Sequence, residues 1–478
     1  MNKKMIFHTL GWVLLIEAIC MILPLICGMI YREREVLSFA YTIAAVAIVG
    51  FALIKLPLKS KSLFAKEGLI IVALSWIIMS LAGCIPFIIS GHIPSFTDAL
   101  FETVSGFTTT GASILTNVEA LPRSLLFWRS FTHWIGGMGV LVFLLAILPI
   151  SGANNMHLMR AESPGPSVSK LVPRIKSTAK ILYTIYSVLT LIEIVFLLFG
   201  GMSPFEAILH SFGTAGTGGF GIKNNSIEGY SPYLQNVITV FMMLFGVNFS
   251  IYYLALTNHF KEILKSTELK TYLGLFAIAS IFICVNILPQ ASGITEALRL
   301  SCFQVATVMT TTGYSTCNFD LWPTFSKTIL VLLMFIGASA GSTGGGIKVS
   351  RILVVVKSIG KELRTMIHPK SVRKITVDGH TVEHETVRGI NVFFAAYACI
   401  FVVSLLIITL DNQSFTTSFT TVVSAINNIG PGLDAVGPAA NFSILSPLSK
   451  FVMIFDMLAG RLEIFPMLVL FYRFTYKK

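Results

Sequence analysis

Four times along this chain an apolar, helix-length run gives way to a short string of small residues, mostly hydroxyl-bearing, that ends at glycine. The clearest copy runs from Gln304 to Ser315 and contains Thr310-Thr311-Thr312-Gly313. A close copy follows Phe101 and contains Thr108-Thr109-Thr110-Gly111, a looser one reads Gly216-Thr217-Gly218-Gly219, and a degenerate one reads Asn427-Asn428-Ile429-Gly430. Aligned on Gly111, Gly218, Gly313 and Gly430, the copies recur at intervals of roughly a hundred residues, too long for a solenoid unit and suited to one membrane module per repeat. Neither a core helix nor a lipid-facing span would carry such a string. A hydrocarbon interior tolerates non-helical backbone only where protein buries it or water lines it, so four equivalent interruptions must face one another around a polar axis. The pattern predicts four re-entrant loops in one ring.

Composition agrees with a membrane setting. Of 478 residues 54% are hydrophobic and 12% charged, and the mean hydropathy of +0.78 excludes an ordinary soluble domain. The net charge of +12 could suggest nucleic acid, but most Lys and Arg fall in the termini and in connections on one side. That is the positive-inside pattern of cytoplasmic segments, so topology explains the charge and no nucleic-acid partner is needed. The seven cysteines have no CxxC spacing and read as small buried hydrophobes.

The chain is therefore expected to be an all-α polytopic membrane protein, with four helix–loop–helix repeats arranged pseudo-fourfold around one pore. Residues 1–60 form an N-terminal two-helix hairpin; the first apolar run, to Ile30, is long enough to span, carries Glu17 and lacks a leader-type cleavage site. Pore repeats follow at 61–165, 166–262, 263–375 and 376–478. Each consists of an outgoing helix, a half-helix, the glycine-bearing loop and a returning helix, giving about ten spanning helices and four half-helices. Basic connections are expected at 151–180, 258–270 and 357–388. In the last, residues 375–384 alternate around Asp378-Gly379 as a β-hairpin would, and His380 and His384 read as exposed hairpin residues without a third metal ligand.

A half-helix that ends at the loop points its partly negative C-terminus inward, and the extended backbone beyond it offers carbonyl oxygens. Rings of carbonyls replace the hydration shell of a monovalent cation, and glycine permits the backbone angles that aim them. A second singular stretch, 337–348, holds Gly337, Gly341, Gly344, Gly345 and Gly346 before Lys348. It lacks the Gly-Lys-[Ser/Thr] of a phosphate loop, and so many glycines must break the helix inside the membrane, lining the path below the loops. Lys348 is expected at the inner mouth, where it can snorkel to water. Arg461, deep in the last helix, is either functional or ion-paired with Glu463 or Asp456. Glu17 and Glu193 read as packing-satisfied or dimer-interface groups.

The loop quartet, with Asn427-Asn428-Ile429-Gly430-Pro431-Gly432 as its fourth member, resembles that of the TrkH/TrkG/KtrB superfamily of bacterial potassium-uptake proteins, related to plant HKT transporters. The resemblance covers essentially the whole chain, and the N-terminal hairpin is similar to the TrkH/TrkG type. It implies K⁺ as the transported ion, no organic cofactor, and backbone coordination at Thr109 and Thr110, Gly216 and Thr217, Thr311 and Thr312, and Asn428 and Ile429, each pair before its glycine. Gly216 departs from the pattern, since a larger residue is common there. The resemblance also implies that 337–346 is an intramembrane gating loop and Arg461 an electrostatic plug below the filter. It further implies a homodimer in the lipid of the bacterial inner membrane, with both termini cytoplasmic. A TrkA-like nucleotide-binding subunit would dock near Lys357, Lys361, Arg364, Lys370, Arg373 and Lys374. The alternatives are a Na⁺-coupled Ktr-like transporter and a secondary transporter for another solute. No HExxH, Ser/His or paired-carboxylate constellation supports an enzyme.

Overall fold

The computed structural model describes residues 2–57, 64–139, 175–370 and 374–475. Arg373 and most of the basic connection expected at 151–180 lie outside them. The N-terminal hairpin pairs a broken helix, Lys3–Cys20 and Ile22–Tyr31, with Val36–Ile54. Outgoing helices follow at Ala65–Gly83, Ile175–Phe199, Thr267–Ile287 and His384–Ile408.

The four half-helices are Phe96–Phe107, Pro204–Gly216, Ile294–Met309 and Phe415–Asn427. At about 1.5 Å per residue each crosses only part of a bilayer core of about 30 Å. Three of them are opened by a serine N-cap, at Ser95, Ser203 and Ser414. The returning helices are Arg123–Gly137, Pro232–Phe245, Thr324–Phe335 and Pro447–Arg461. All four begin at a proline, either as the cap (Pro122, Pro323) or as the first helical residue (Pro232, Pro447), where its missing N–H costs nothing.

The expectation of about ten full spans needs correction. Among the described residues six helices are long and apolar enough to cross a membrane, or up to seven if the bent pair Pro232–Phe245 and Phe249–Leu256 counts as one. The returning helices of repeats two to four are interrupted rather than continuous. The second bends by 89° after Phe245, and the third stops at Phe335 and resumes as Val349–Ile367. The fourth stops at Arg461 and turns through Glu463 and Ile464, both at positive φ, before Phe465–Phe471. The third break is the one its glycines predict, while summed hydropathy does not register the other two, because apolar residues continue on both sides of them. The β-hairpin is present: Thr376 pairs with Thr381 and Val377 with His380, with Asp378 and Gly379 at positive φ in the turn.

Repeats pack on one another through aromatic side chains. Phe131 stacks on Trp134 at 5.7 Å between ring centres, and both meet Phe212 of the second half-helix. Trp128 donates from Nε1 to the Gly83 carbonyl at 3.0 Å, tying returning to outgoing helix in repeat one. Glu17 and Glu193 are only 1% and 0% exposed within this single chain, so neither is a dimer-interface group.

Candidate functional site

Each half-helix ends in the same way. The residue after or at its cap, Thr109, Thr217, Thr311 or Asn428, lies in the left-handed region with φ of 54°, 54°, 58° and 56°. The next N–H reaches back five residues: Thr110 to Ser105, Gly218 to Gly213, Thr312 to Thr307 and Ile429 to Ser424, at 2.8–3.0 Å. This is a Schellman end, usually built on glycine; a β-branched threonine there costs about 1–2 kcal/mol. Three threonines holding that strain at matching positions mark a conformation fixed by the surrounding protein.

Two residues after each left-handed residue comes a glycine at positive φ: Gly111, Gly219, Gly313 and Gly430. Backbone conformation thus aligns loop two on Gly219 rather than Gly218, one residue later than its sequence suggests. Gly216 is the last residue of the half-helix, equivalent to Thr108, Thr310 and Asn427.

These glycines close the ring. A Cβ added at Gly111 would meet the Gly218 carbonyl oxygen, at Gly219 that of Thr312, at Gly313 that of Ile429, and at Gly430 that of Thr110. Every one of these approaches would be under the 3.0 Å that real Cβ atoms essentially never breach. Loop one therefore abuts loop two, two abuts three, three abuts four, and four returns to one. Thr109, Thr110, Thr217, Gly218, Thr311, Thr312, Asn428 and Ile429 are all buried. Among the described residues no hydrogen bond is made to their carbonyl oxygens.

Side chains that the sequence reading passed over brace the ring. His133 donates from Nδ1 to the Gly106 carbonyl at 2.8 Å and accepts the Phe220 N–H on Nε2 at 3.3 Å, which fixes its neutral tautomer. Tyr314 donates to the His210 carbonyl, and Asn428 donates from Nδ2 to Thr110 Oγ1 and to the Met457 carbonyl. Loops one and three share a further detail, a hydroxyl pair: Thr108 with Thr110 at 2.8 Å and Thr310 with Thr312 at 2.7 Å. Beyond loop four, the hydroxyls of Ser414 and Thr417 hold the exposed Asp434 carboxyl below its usual range and anchor the start of the fourth half-helix.

Glu102 and Arg129 are the largest omission. Arg129 donates from Nε to Glu102 at 2.6 Å and from Nη1 to the Gly221 carbonyl at 2.8 Å, with Phe220 under its guanidinium. Glu102 also accepts from Ser113 and the Ile114 N–H, so one buried pair joins the chain after loop one to the chain after loop two. Glu102→Gln would leave Arg129 charged and uncompensated in the interior, a cost of about 3–5 kcal/mol. The expected result is a loss of several degrees in the melting temperature of the detergent-solubilised protein, partly recovered by adding Arg129→Met.

The glycine-rich segment sits against this ring. The Gly345 N–H donates to Thr311 Oγ1 at 2.6 Å, and a Cβ at Gly345 would lie 2.7 Å from the Asn427 carbonyl oxygen. It also fastens to the break in repeat two. Ser339 N–H meets the Gly246 carbonyl, Thr343 Oγ1 the Phe245 carbonyl, and Phe249 N–H the Gly341 carbonyl. Lys348 does not snorkel outward. It is 9% exposed and folds back, giving its Nζ to the Gly344 and Gly345 carbonyls. Helix breaks expose carbonyls that need donors, and this ammonium supplies them.

Arg461 is hydrogen-bonded across repeats, and the ion pair with Glu463 or Asp456, the alternative to a functional role, is not formed. Its Nη1 reaches the Thr343 carbonyl at 2.8 Å, and Nη2 reaches the carbonyls of Gly136 and Gly137. Glu463 pairs with Arg351, and Asp456 accepts from Ser404. One guanidinium therefore ties the glycine-rich segment to the end of the first returning helix.

Comparison with known proteins bears on this arrangement. The family described as "TrkH: Cation transport protein" matches residues 32–475. The chain is 38% identical to the Trk system potassium uptake protein TrkH of Escherichia coli (strain K12), over 98% of this chain and 99% of that protein. Identity to Trk system potassium uptake protein TrkG of the same strain is 32%, over 100% and 99%. Among solved structures, the crystal structure of the potassium transporter TrkH from Vibrio parahaemolyticus superimposes with a TM-score of 0.90 at 32% identity, covering 100% of both chains.

Proposed function

The chain belongs to the TrkH family of cation transport proteins, and on that premise we propose that it carries potassium ions into the bacterial cell through the ring of four loops. The observation that carries this reading is the set of buried loop carbonyls without a protein partner, two per loop, at 109 and 110, 217 and 218, 311 and 312, and 428 and 429. Buried carbonyls left bare are costly, and a dehydrated monovalent cation on the axis satisfies them all at once. The half-helix C-termini add their partial negative charge to the same point.

Below the filter, the segment 337–346 is the gate and Arg461 its fastening. The guanidinium both holds the Thr343 carbonyl in place and sets a positive charge in the ion's path. The basic connections 258–270 and 357–388 face the cytoplasm, as do both termini, in a multi-pass protein of the inner membrane. The protein works as a homodimer whose gate is driven by a TrkA-like nucleotide-binding subunit docked near Lys357, Lys361 and Arg364, because uncontrolled conduction would collapse the membrane potential.

Rubidium-86 uptake into proteoliposomes tests the reading. We expect uptake that unlabelled K⁺ abolishes and equimolar Na⁺ leaves largely intact. Equal competition by Na⁺, or no uptake while an organic solute is transported, would overturn it.

A further inference from the structure

One buried carboxylate outside the filter grips both ends of the glycine-rich segment. Glu268, the second residue of the helix Thr267–Ile287, accepts the Ala340 N–H at 2.7 Å and the Ser350 N–H at 3.2 Å, both on Oε1. Ala340 lies within the segment, and Ser350 in the first turn of the helix that follows it, Val349–Ile367. The two donors are ten positions apart in sequence and are brought together at a single oxygen, so the loop cannot extend without breaking one of these bonds. Charge-assisted bonds of this kind are about twice as strong as neutral ones.

The residue just before Glu268 is held in turn by the β-hairpin. Asp378, in the hairpin turn, accepts the Thr267 N–H at 2.5 Å, and Lys357 of the helix Val349–Ile367 donates to the Thr376 carbonyl at 2.8 Å. The hairpin thus touches the helix carrying Glu268 and the helix leaving the segment, and its turn is exposed at Asp378 and Gly379.

We propose that Glu268 is the latch that keeps the glycine-rich segment closed, and that the 376–381 hairpin is the handle whose displacement releases it. This rests on the reading of 337–346 as the gate. A pull on the hairpin shifts the start of the helix Thr267–Ile287, moves the carboxylate away from Ala340 and Ser350, and frees the loop. Glu268 acts here as a positioning residue; it need not touch the ion.

The test is rubidium-86 uptake by the full-length protein in proteoliposomes without any regulatory subunit, with K⁺/Na⁺ competition measured in the same vesicles. Glu268→Ala should raise basal uptake at least about tenfold with competition unchanged, whereas Glu268→Gln, which keeps an acceptor oxygen but loses the charge, should raise it by a smaller factor. Ser350→Pro removes one donor within the first helical turn, where proline is tolerated, and should leak as well even if Glu268→Ala fails to fold. Asp378→Ala should raise basal uptake by a smaller factor. Wild-type basal uptake in Glu268→Ala or Ser350→Pro, alongside a leaking Arg461→Ala, would overturn the latch and leave the gate standing. If Arg461→Ala is also tight, the gate reading falls and the latch with it. A leak in Glu268→Ala with none in Asp378→Ala would overturn the handle.

Discussion

Replacing Gly313 by serine is expected to reduce the preference for K⁺ over Na⁺ by at least about tenfold, which corresponds to about 1.4 kcal/mol of lost discrimination. The residue sits at φ +87°, where a side chain is strained whatever room it has. Its new Cβ would also press on the Ile429 carbonyl oxygen and stand 3.1 Å from Pro431 Cδ. Ile429 is held in turn by the bond from its N–H to the Ser424 carbonyl. The clash therefore cannot be absorbed by a flexible side chain, and it must push a carbonyl of loop four that is proposed to coordinate the ion. Discrimination between two ions differing only in size depends on where such carbonyls stand. Competition of Na⁺ and K⁺ for rubidium uptake measures the effect, and a protein that folds with unchanged selectivity would remove Gly313 from the filter.

The second large effect is expected from Arg461→Ala. Its guanidinium makes charge-assisted bonds to Thr343 on one side and to Gly136 and Gly137 on the other. Alanine deletes them together, detaches the glycine-rich segment from repeat one, and removes a positive charge from the proposed ion path. Unregulated rubidium uptake should rise at least about tenfold, since hydrogen bonds to charged groups contribute roughly 1.5–3 kcal/mol each. Arg461→Lys should fall between, because an ammonium cannot span the same set of carbonyls as a fork of nitrogens. A fall in uptake with normal folding would give Arg461 a purely structural role.

How much of this was legible in the sequence differs from element to element. The four loops were, because hydroxyl-rich strings ending at glycine contrast sharply with apolar flanks. The hairpin was legible from Asp378-Gly379, since a two-residue turn of that kind needs residues that accept positive φ. Loop two was read one residue early, because Gly216-Thr217-Gly218-Gly219 has glycine at every candidate position and only the left-handed φ of Thr217 sets the register.

The break in the third returning helix was legible from its five glycines, whereas those in the second and fourth were hidden for a different reason. Phe245 and Arg461 end their helices beside a single glycine each, Gly246 and Gly460, too little to mark a break in sequence. Arg461 and Glu268 find their partners across long chain separations, and the bond from Arg461 to Gly136 spans 325 positions. No local pattern encodes such pairings. The buried pair of Glu102 and Arg129 left only a weak trace, since Asp98 shares the half-helix of Glu102 and Arg123 the helix of Arg129.

The central claim, that the four loops coordinate the transported ion by backbone carbonyls, is tested most directly by diffraction. Crystals grown in rubidium should give an anomalous peak on the axis between the carbonyls of Thr110, Gly218, Thr312 and Ile429, and potassium should displace it. A ring without ordered rubidium, or a peak bound to side chains elsewhere, would contradict the account.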